Sequence, residues 1–225
     1  MCGRFSLTYT DQDLLEYFQL ARGLDLEPRY NIAPSQPVAA VRVEEGERRL
    51  VLLRWGLIPF WANDPKVGYK MINARAETAH KTPAFRAAFR GRRCLIPASG
   101  YYEWDKKGGS RQPYHILRAD GQPMALAGLW EHWEGEEGKT VIESCTILTT
   151  AANEPVARLH DRMPVILGPE DFDLWLDPGE QRVERLRELL GPAAPGVLNM
   201  VPVSPYVNKA TNEGERCIEP AGPES

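Results

Sequence analysis

The second residue of the chain, Cys2, is the strongest candidate for a chemically reactive group. If an aminopeptidase removes Met1, which the small side chain that follows it favours, Cys2 carries a free α-amine and a thiol on adjacent carbons. Reference pKa values of about 7.7–8.0 for such an amine and about 8.5 for a thiol leave useful nucleophilic fractions near neutral pH. A 1,2-aminothiol condenses with an aldehyde to an imine and then closes to a thiazolidine ring. The alternative is that Cys2 is merely the second residue of an ordinary amino terminus.

One extended stretch offers polar partners for this nucleophile. Residues 71–78 read Met-Ile-Asn-Ala-Arg-Ala-Glu-Thr. In an extended chain Asn73, Arg75 and Glu77 fall on one side, because side chains alternate along a strand. The pattern therefore predicts a shared polar face.

Glu103 and His160 are two further candidates. Glu103 stands among aromatic residues, where desolvation would raise the pKa of its carboxyl as a general acid requires. The alternative for Glu103 is a charge that keeps an edge strand soluble. His160 stands at the entrance of an apolar strand, two residues before Arg162, a spacing that favours an anion-facing site. The alternative for His160 is a purely structural histidine.

Positive charge is concentrated in residues 66–111. This stretch has eleven Lys and Arg against three Asp and Glu, a local charge of +8. Because the net charge of the whole chain is −4, the remaining residues sum to −12. Such asymmetry indicates a surface that faces a polyanion, although a solvated basic face would look the same. Trp61, beside Ala-Asn-Asp-Pro, is predicted to be exposed and able to stack on a nucleobase, whereas Trp55 is predicted to pack into the core.

Composition limits the class of protein. The chain has 225 residues, 43% of them hydrophobic, which suits one substantial core and one domain over residues 1–220 with a disordered tail at 221–225. Four cysteines at long irregular spacings argue against a structural zinc site and against a disulfide scaffold. We expect no membrane span and no secretion signal, and therefore a cytoplasmic protein.

Many short elements must position these residues. The predicted fold class is α+β, a single domain of curved, mainly antiparallel, barrel-like sheets with peripheral helices. Strands are predicted over residues 4–9, 38–43, 50–55, 92–97, 114–117, 124–129, 141–149 and 199–203, with 38–43 and 50–55 joined as a hairpin across 45–47. Helices are predicted over 83–89, 170–176 and 180–190. Thr10 or Asp11 is predicted to cap a further short helix, in which Leu14, Leu15 and Phe18 follow the helical period. Residues 29–34 and 204–220 are predicted to be loops.

Seven short motifs, taken together, resemble the SRAP (SOS response-associated peptidase) family, whose members cross-link to abasic sites in single-stranded DNA. The motifs follow the family order from residue 2 to about 220. They are Met1-Cys2-Gly3-Arg4-Phe5, Arg29-Tyr30-Asn31-Ile32-Ala33-Pro34, Trp55-Gly56-Leu57-Ile58-Pro59, Asn73-Ala74-Arg75-Ala76-Glu77-Thr78, Arg93-Cys94-Leu95-Ile96-Pro97, Gly100-Tyr101-Tyr102-Glu103-Trp104 and His160-Asp161-Arg162-Met163-Pro164.

The resemblance implies roles for the matching positions. A nucleophile and the polar residues around it would be Cys2, Asn73, Glu103 and His160. A DNA-binding set, in which the arginines hold phosphates and the tryptophan acts as a wedge, would be Arg4, Asn31, Trp61, Arg75 and Arg162. The implied partner is single-stranded DNA containing abasic sites. No cofactor and no metal are expected, and the protein is expected to be a monomer that associates with the nucleoid during repair.

A mechanism follows from this set of residues. An abasic deoxyribose is mostly a closed hemiacetal, so Glu103 would shuttle protons during ring opening and amine attack. Asn73 would orient the Cys2 amino terminus or a sugar oxygen, and His160 would assist ring opening. Thiol attack would then close a thiazolidine that shields the site.

Two other functions fit the same residues. The main alternative is an N-terminal-nucleophile peptidase, in which Cys2 attacks a peptide carbonyl with its own amine as base. The other is a non-catalytic module that binds single-stranded DNA. Only Met1 precedes Cys2, so self-cleavage would release little, which favours the aldehyde chemistry.

Overall fold

Short strands make up most of the chain. The computed structural model describes residues 2–105, 111–135, 138 and 140–222. Its strands are β1 (Phe5–Leu7), β2 (Arg29–Ile32), β3 (Pro37–Glu44), β4 (Glu47–Trp55), β5 (Asn73–Arg75), β6 (Arg93–Ala98), β7 (Gly100–Asp105), β8 (Gln112–Arg118), β9 (Met124–Glu134), β10 (Val141–Ala151), β11 (Arg162–Pro164), β12 (Ile166–Leu167) and β13 (Leu198–Pro202).

Helices lie between the strands. The α-helices are α1 (Asp11–Phe18), α2 (Ala76–Ala79), α3 (Arg86–Gly91), α4 (Glu154–Ala157), α5 (Phe172–Leu176) and α6 (Val183–Glu188). Short 3-10 helices occupy Pro65–Lys70, Pro169–Asp171, Pro205–Asn208 and Glu215–Cys217. Thr10 caps α1 with a reciprocal capping box to Asp13, which confirms the predicted start of that helix.

A closed barrel of five strands forms the centre of the fold. The hairpin β3–β4 continues through β6 and β9 to β10, and β10 closes the ring by pairing with β4 at Ser144 and Cys145. The β4–β10 pairing is parallel, whereas the other four pairings of the ring are antiparallel. Because β10 is eleven residues long, its end extends past the barrel and pairs with β5 on one edge and β11 on the other.

A second sheet carries the amino terminus. Its strand order is β13-β8-β7-β1-β2, so β1 is held between β7 and β2. The rings of Phe5 in β1 and Trp55 at the end of β4 pack edge to face, with their centres 5.1 Å apart. This contact joins the second sheet to the barrel. Cys2 therefore lies shortly before a strand that is paired along both of its edges.

The loop between β4 and β5 depends on two glycines. Gly56 has φ +128°, and a Cβ there would lie 2.5 Å from the carbonyl oxygen of Gly68. Leu57 donates its N–H to the carbonyl of Met71 at 3.1 Å, so the chain returns to its starting point. This close approach places β5 beside β10, directly after the residues of β10 that pair with β4 at the rim of the barrel.

The sequence predicted the fold class and most elements. The α+β architecture of mainly antiparallel, barrel-like sheets is confirmed, and so are the β3–β4 hairpin, the burial of Trp55 and the exposure of Trp61, at 53%. The predicted tail falls partly outside the described residues, since 223–225 are not among them.

Two local predictions were wrong. Residues 29–32 are a strand rather than a loop, because β1 offers a free edge for Arg29 and Ile32 to pair with. The extended segment 71–78 ends at Arg75, and α2 begins at Ala76, so Glu77 lies on a helix. Alanine and glutamate both have favourable intrinsic helix propensities, which suits a helix at this point.

Candidate active site and nucleic-acid interface

Cys2 and Asn73 are in direct contact. Cys2 is fully buried, and the Asn73 side chain donates from Nδ2 to the Cys2 carbonyl oxygen at 2.9 Å. The other amide atom, Asn73 Oδ1, is buried with no hydrogen-bond partner among the described residues. An acceptor is thus available beside the main chain of Cys2.

The barrel rim holds Asn73 in position. The residue before it, Ile72, accepts at its carbonyl oxygen from the indole Nε1 of Trp55 at 2.9 Å and from the N–H of Ile147 at 3.1 Å. Asn73 itself pairs with Ile147 in the parallel β5–β10 ladder. A buried tryptophan and a long strand therefore fix the amide that touches Cys2.

Glu103 approaches Cys2 through the pairing of β1 with β7. Phe5 lies opposite Tyr101, and the N–H of Tyr102 donates to the Arg4 carbonyl at 2.9 Å, so continued register places Glu103 opposite Gly3. Glu103 is only 5% exposed. Its carboxyl group is therefore largely removed from water next to the candidate nucleophile.

The Cys2 thiol is held in its protonated form. Burial raises the pKa of the Cys2 thiol above its ordinary value, and the charge of Glu103 raises it further. The main-chain N–H of Arg4 lowers that pKa, but by less. The thiol is thus a poor nucleophile until something else changes its surroundings.

Tyr101 is a site residue to which the sequence assigned no role. Strand alternation puts Tyr101 on the same face of β7 as Glu103, and this alternation was the available signal. Its hydroxyl is buried without a hydrogen-bond partner among the described residues. Burial is the main cause that holds the pKa of Tyr101 well above its ordinary value, and the nearness of Cys2 and Glu103 raises that pKa further. Tyr101 therefore forms part of the wall that keeps water from Cys2 and Glu103.

His160 precedes β11, which pairs with one edge of β10, whereas β5, the strand of Asn73, pairs with the other. His160 Nδ1 accepts the main-chain N–H of Arg162 at 2.9 Å and lies 2.8 Å from a carboxyl oxygen of Asp161. The described residues thus bring Cys2, Asn73 and Glu103 together, with His160 one strand away from β5.

Two of the predicted phosphate-binding arginines flank the same strand. Arg75 ends β5 and is exposed, and Arg162 begins β11. The guanidinium of Arg162 forms a two-pronged ion pair with Glu77, with N–O distances of 2.7 and 2.8 Å. The sequence placed Glu77 in a motif but gave it no role.

Arg4 is held by the carboxyl-terminal segment, residues 204–218. Its Nη1 donates to Asn31 Oδ1 at 2.6 Å and to the Val207 carbonyl at 3.1 Å, and its guanidinium lies 5.8 Å from the centre of the Trp104 ring. Asn31 is 1% exposed.

The Asn31 amide is already engaged within the protein. Its Nδ2 faces three main-chain carbonyls of the segment 204–218, those of Val207, Lys209 and Asn212, at 2.8 to 3.3 Å. With Oδ1 also occupied by Arg4, this geometry favours a role for Asn31 in positioning Arg4 over a direct contact with DNA.

The basic stretch 66–111 is not one continuous surface. Arg93 is only 3% exposed, and its guanidinium donates to main-chain carbonyls that include those of Trp175 and Phe89, so the prediction of a polyanion-facing group is wrong at this residue. Arg92 pairs with buried Glu131. Arg93, the first residue of β6, connects that strand to α3 and α5, whereas Arg92 connects its start to β9. Lys106 and Lys107 lie outside the described residues.

Trp61 projects from the glycine-dependent loop between β4 and β5. The carbonyl of its neighbour Ala62 accepts from the indole Nε1 of Trp133 at 2.7 Å, which fixes the loop while Trp61 stays half exposed. Phe60, at 57% exposed, lies next to it. Two exposed rings beside one another suit stacking on bases.

The described residues contain neither a candidate metal centre nor a membrane-spanning helix. No group of three or more His, Cys, Asp and Glu in that part of the chain is arranged to hold a metal ion. None of its helices is both long enough and apolar enough to cross a membrane.

Comparison with known proteins gives one consistent result. The family model of the SOS response associated peptidases (SRAP) matches residues 1–210. The chain is 41% identical over 223 residues to the abasic site processing protein YoqW of Bacillus subtilis, covering 97% of this chain and 99% of that relative. It is 33% identical over 231 residues to the abasic site processing protein YedK of Escherichia coli, covering 98% and 100%. A crystal structure of a protein from Bacteroides thetaiotaomicron has the same fold, with a TM-score of 0.85 at 24% identity, over 98% of this chain and all of that one.

Proposed function

The chain belongs to the SOS response-associated peptidase family, and from this premise we propose that it processes abasic sites in single-stranded DNA by forming a covalent cross-link through Cys2. The observation that carries the proposal is the hydrogen bond from Asn73 to the Cys2 carbonyl beside the buried carboxyl of Glu103. Two relatives that match nearly the whole chain are named abasic site processing proteins, which supports the same substrate.

The amine of Cys2 acts first. Removal of Met1 gives an α-amine whose ordinary pKa of about 7.7–8.0 leaves part of it neutral at pH 7. The thiol stays protonated because burial and Glu103 raise its pKa. Asn73 Oδ1 is buried and has no partner among the described residues. It would accept a hydrogen bond from the N–H of this amine. The geometry thus favours imine formation before thiol attack.

Each step has a proton donor and acceptor. In ring opening, Glu103 takes the proton of the C1′ hydroxyl, the bond from C1′ to the ring oxygen breaks, and His160 returns a proton to that oxygen. The amine then adds to the aldehyde and water leaves, which gives an imine. Finally the sulfur adds to the imine carbon and the thiol proton moves to the nitrogen. The overall change joins aldehyde and aminothiol and releases one water.

Contacts to phosphates position the strand. Arg75 is exposed, Arg162 borders the same end of β10, and Arg4 follows Cys2 by two residues, so these three cations would hold phosphates near the lesion. Trp61 stacks on a flanking base, and Asn31 contributes by holding Arg4. Flexible single strands suit this arrangement better than a duplex does, since a base must unstack to meet Trp61.

The proposal is tested with an oligonucleotide that carries one abasic site. The wild-type protein gives a band that resists denaturing electrophoresis. Cys2→Ala, which keeps the amine after Met1 removal, gives an adduct only when borohydride traps the imine, and Glu103→Gln slows adduct formation about tenfold or more. Cys94→Ala is the matched control, because Cys94 is also a buried thiol but lies on β6 within the core.

An equally stable adduct from Cys2→Ala would contradict this mechanism. An intact mass that still contains Met1 in active protein would contradict the role of the α-amine. The peptidase alternative is examined by adding unstructured peptides to the same preparation. Peptide hydrolysis that Cys2→Ala abolishes would favour that alternative.

The proposed place of action follows from the substrate. A protein that acts on chromosomal abasic sites works at the nucleoid in the cytoplasm. A monomer suffices for the chemistry, because one chain supplies Cys2, Asn73, Glu103 and His160.

A further inference from the structure

The ion pair between Glu77 and Arg162 spans the strand that separates the two halves of the site. Arg75 of β5 and Pro164 of β11 pair with the same residue of β10, Thr149, from opposite edges. Glu77 follows β5 by two residues, and Arg162 begins β11. Their side chains therefore meet across the end of β10 and connect its two neighbours.

Most of the hydrogen-bonding capacity of Arg162 is used within the protein. A guanidinium has five N–H donors. Two of them bind the two carboxylate oxygens of Glu77 at 2.7 and 2.8 Å, and Nη2 also donates to the Thr149 carbonyl. The Arg162 side chain is only 15% exposed, so this arrangement fixes the plane of the guanidinium and limits the direction from which a phosphate can reach it.

The main chain of Arg162 extends this order to His160. The Arg162 N–H donates to His160 Nδ1 at 2.9 Å. The same Nδ1 lies 2.8 Å from a carboxyl oxygen of Asp161, so the imidazole is held along this edge by two neighbouring groups. A shift of Arg162 would therefore change both a phosphate contact and the orientation of the imidazole.

We propose that Glu77 is a positioning residue, which clasps Arg162 across β10 and so keeps the Asn73 side and the His160 side of the site in one fixed arrangement. The inference rests on the proposed function. The lowered pKa of Glu77, caused first by its hydrogen bonds from Arg162, keeps the carboxylate charged at neutral pH. Arg75 lowers that pKa as well, so Glu77 lies near both phosphate-binding arginines.

The test compares Glu77→Gln with a matched ion pair elsewhere. Asp120→Asn is the control, since Asp120 also forms a two-pronged pair, with Arg118 at the end of β8. In the clasp the arginine and acid side chains are 15% and 48% exposed, and in the control pair 16% and 51%. The two substitutions therefore remove similar charges from similar surroundings.

Adduct formation is measured in single turnovers at saturating abasic-site oligonucleotide. DNA affinity is measured separately on the same oligonucleotide after its aldehyde has been reduced. We expect Glu77→Gln to lower the saturated rate about tenfold or more, because small misplacements of reacting groups are costly. Asp120→Asn should leave the rate unchanged. In an Arg162→Lys background, Glu77→Gln should cost little further, since both changes disable one unit.

The results that overturn the proposal are distinct. If Glu77 merely competes with phosphate for Arg162, then Glu77→Gln binds reduced DNA more tightly and reacts at least as fast as the wild type. Additive losses with Arg162→Lys would also overturn it. If the wild-type protein forms no adduct, the proposed function fails instead. The clasp is then judged by hydrogen exchange at the Arg162 amide, which Glu77→Gln must accelerate and Asp120→Asn must not.

Discussion

At the scale of single residues, burial decides which groups titrate. His115 on β8 stacks on Tyr102, with ring centres 4.8 Å apart, and its Nε2 lies 2.9 Å from the hydroxyl of Ser6. It is 8% exposed, and burial lowers the pKa of His115 to about 4. The folded protein therefore keeps this imidazole neutral in a range where an unfolded chain would protonate it.

Stability should consequently fall in mild acid. Between about pH 6.5 and pH 4 the unfolded state binds a proton that the folded state does not, so the free energy of unfolding decreases as the pH is lowered, by at most about 3 kcal/mol. Above about pH 6.5 the contribution is complete. Urea unfolding at pH 7.5 and 4.5 measures it, and His115→Gln should remove most of the difference. An unchanged pH dependence in this variant would refute the assignment to His115.

At the scale of elements, the loop between β4 and β5 determines where Asn73 lies. Gly56→Ala would combine a left-handed φ of +128° with a Cβ 2.5 Å from the Gly68 carbonyl, so the main chain must move. We expect a loss of about 2 kcal/mol or more in the free energy of unfolding, and slower adduct formation because β5 shifts.

A second glycine provides the control for this loop. Gly46→Ala has a φ of +84° at the tip of the β3–β4 hairpin, but nothing within 4 Å of the added carbon. Its cost should be about 1 kcal/mol, without an effect on the chemistry. Thermal melts of both variants measure the difference. Equal losses would show that the contact between Gly56 and Gly68 does not constrain the loop.

At the scale of the whole molecule, a net charge of −4 makes non-specific attraction to DNA weak. Binding must then come from the few cations at the site. Three phosphate contacts to a single strand predict a slope of about −2 in a plot of log affinity against log salt, or a loss of roughly twentyfold between 50 and 200 mM.

Variants that each remove one positive charge locate the DNA interface within the basic stretch. Arg75→Gln should make that slope shallower by about 0.7, because one phosphate contact is lost. Arg90→Gln is the control, since Arg90 is also an exposed arginine of the stretch 66–111 but lies on α3. If both variants change the slope alike, DNA contacts the stretch as a whole. If neither does, the arginine assignments are wrong.

The sequence by itself determined what depends on neighbouring residues and on recognisable motifs. The cap at the start of α1, the β3–β4 hairpin and the contrast between Trp55 and Trp61 follow from local patterns of polarity. The ordered motifs sufficed to identify the family and to select Cys2 and Asn73 as partners, which the structure places in contact.

Only the tertiary structure decided what depends on residues far apart in the chain. Local residue preferences predicted a loop at residues 29–32, but in the structure these residues pair with the edge of β1 and form a strand. The sequence predicted Arg93 to be part of a charged surface, but main-chain carbonyls near β6 enclose its guanidinium. Glu77 gained a role because an arginine 85 residues later reaches it across β10. Such pairings form through strand register and ring closure, which no local pattern encodes, so the chemical groups could be predicted from the sequence but their mutual geometry could not.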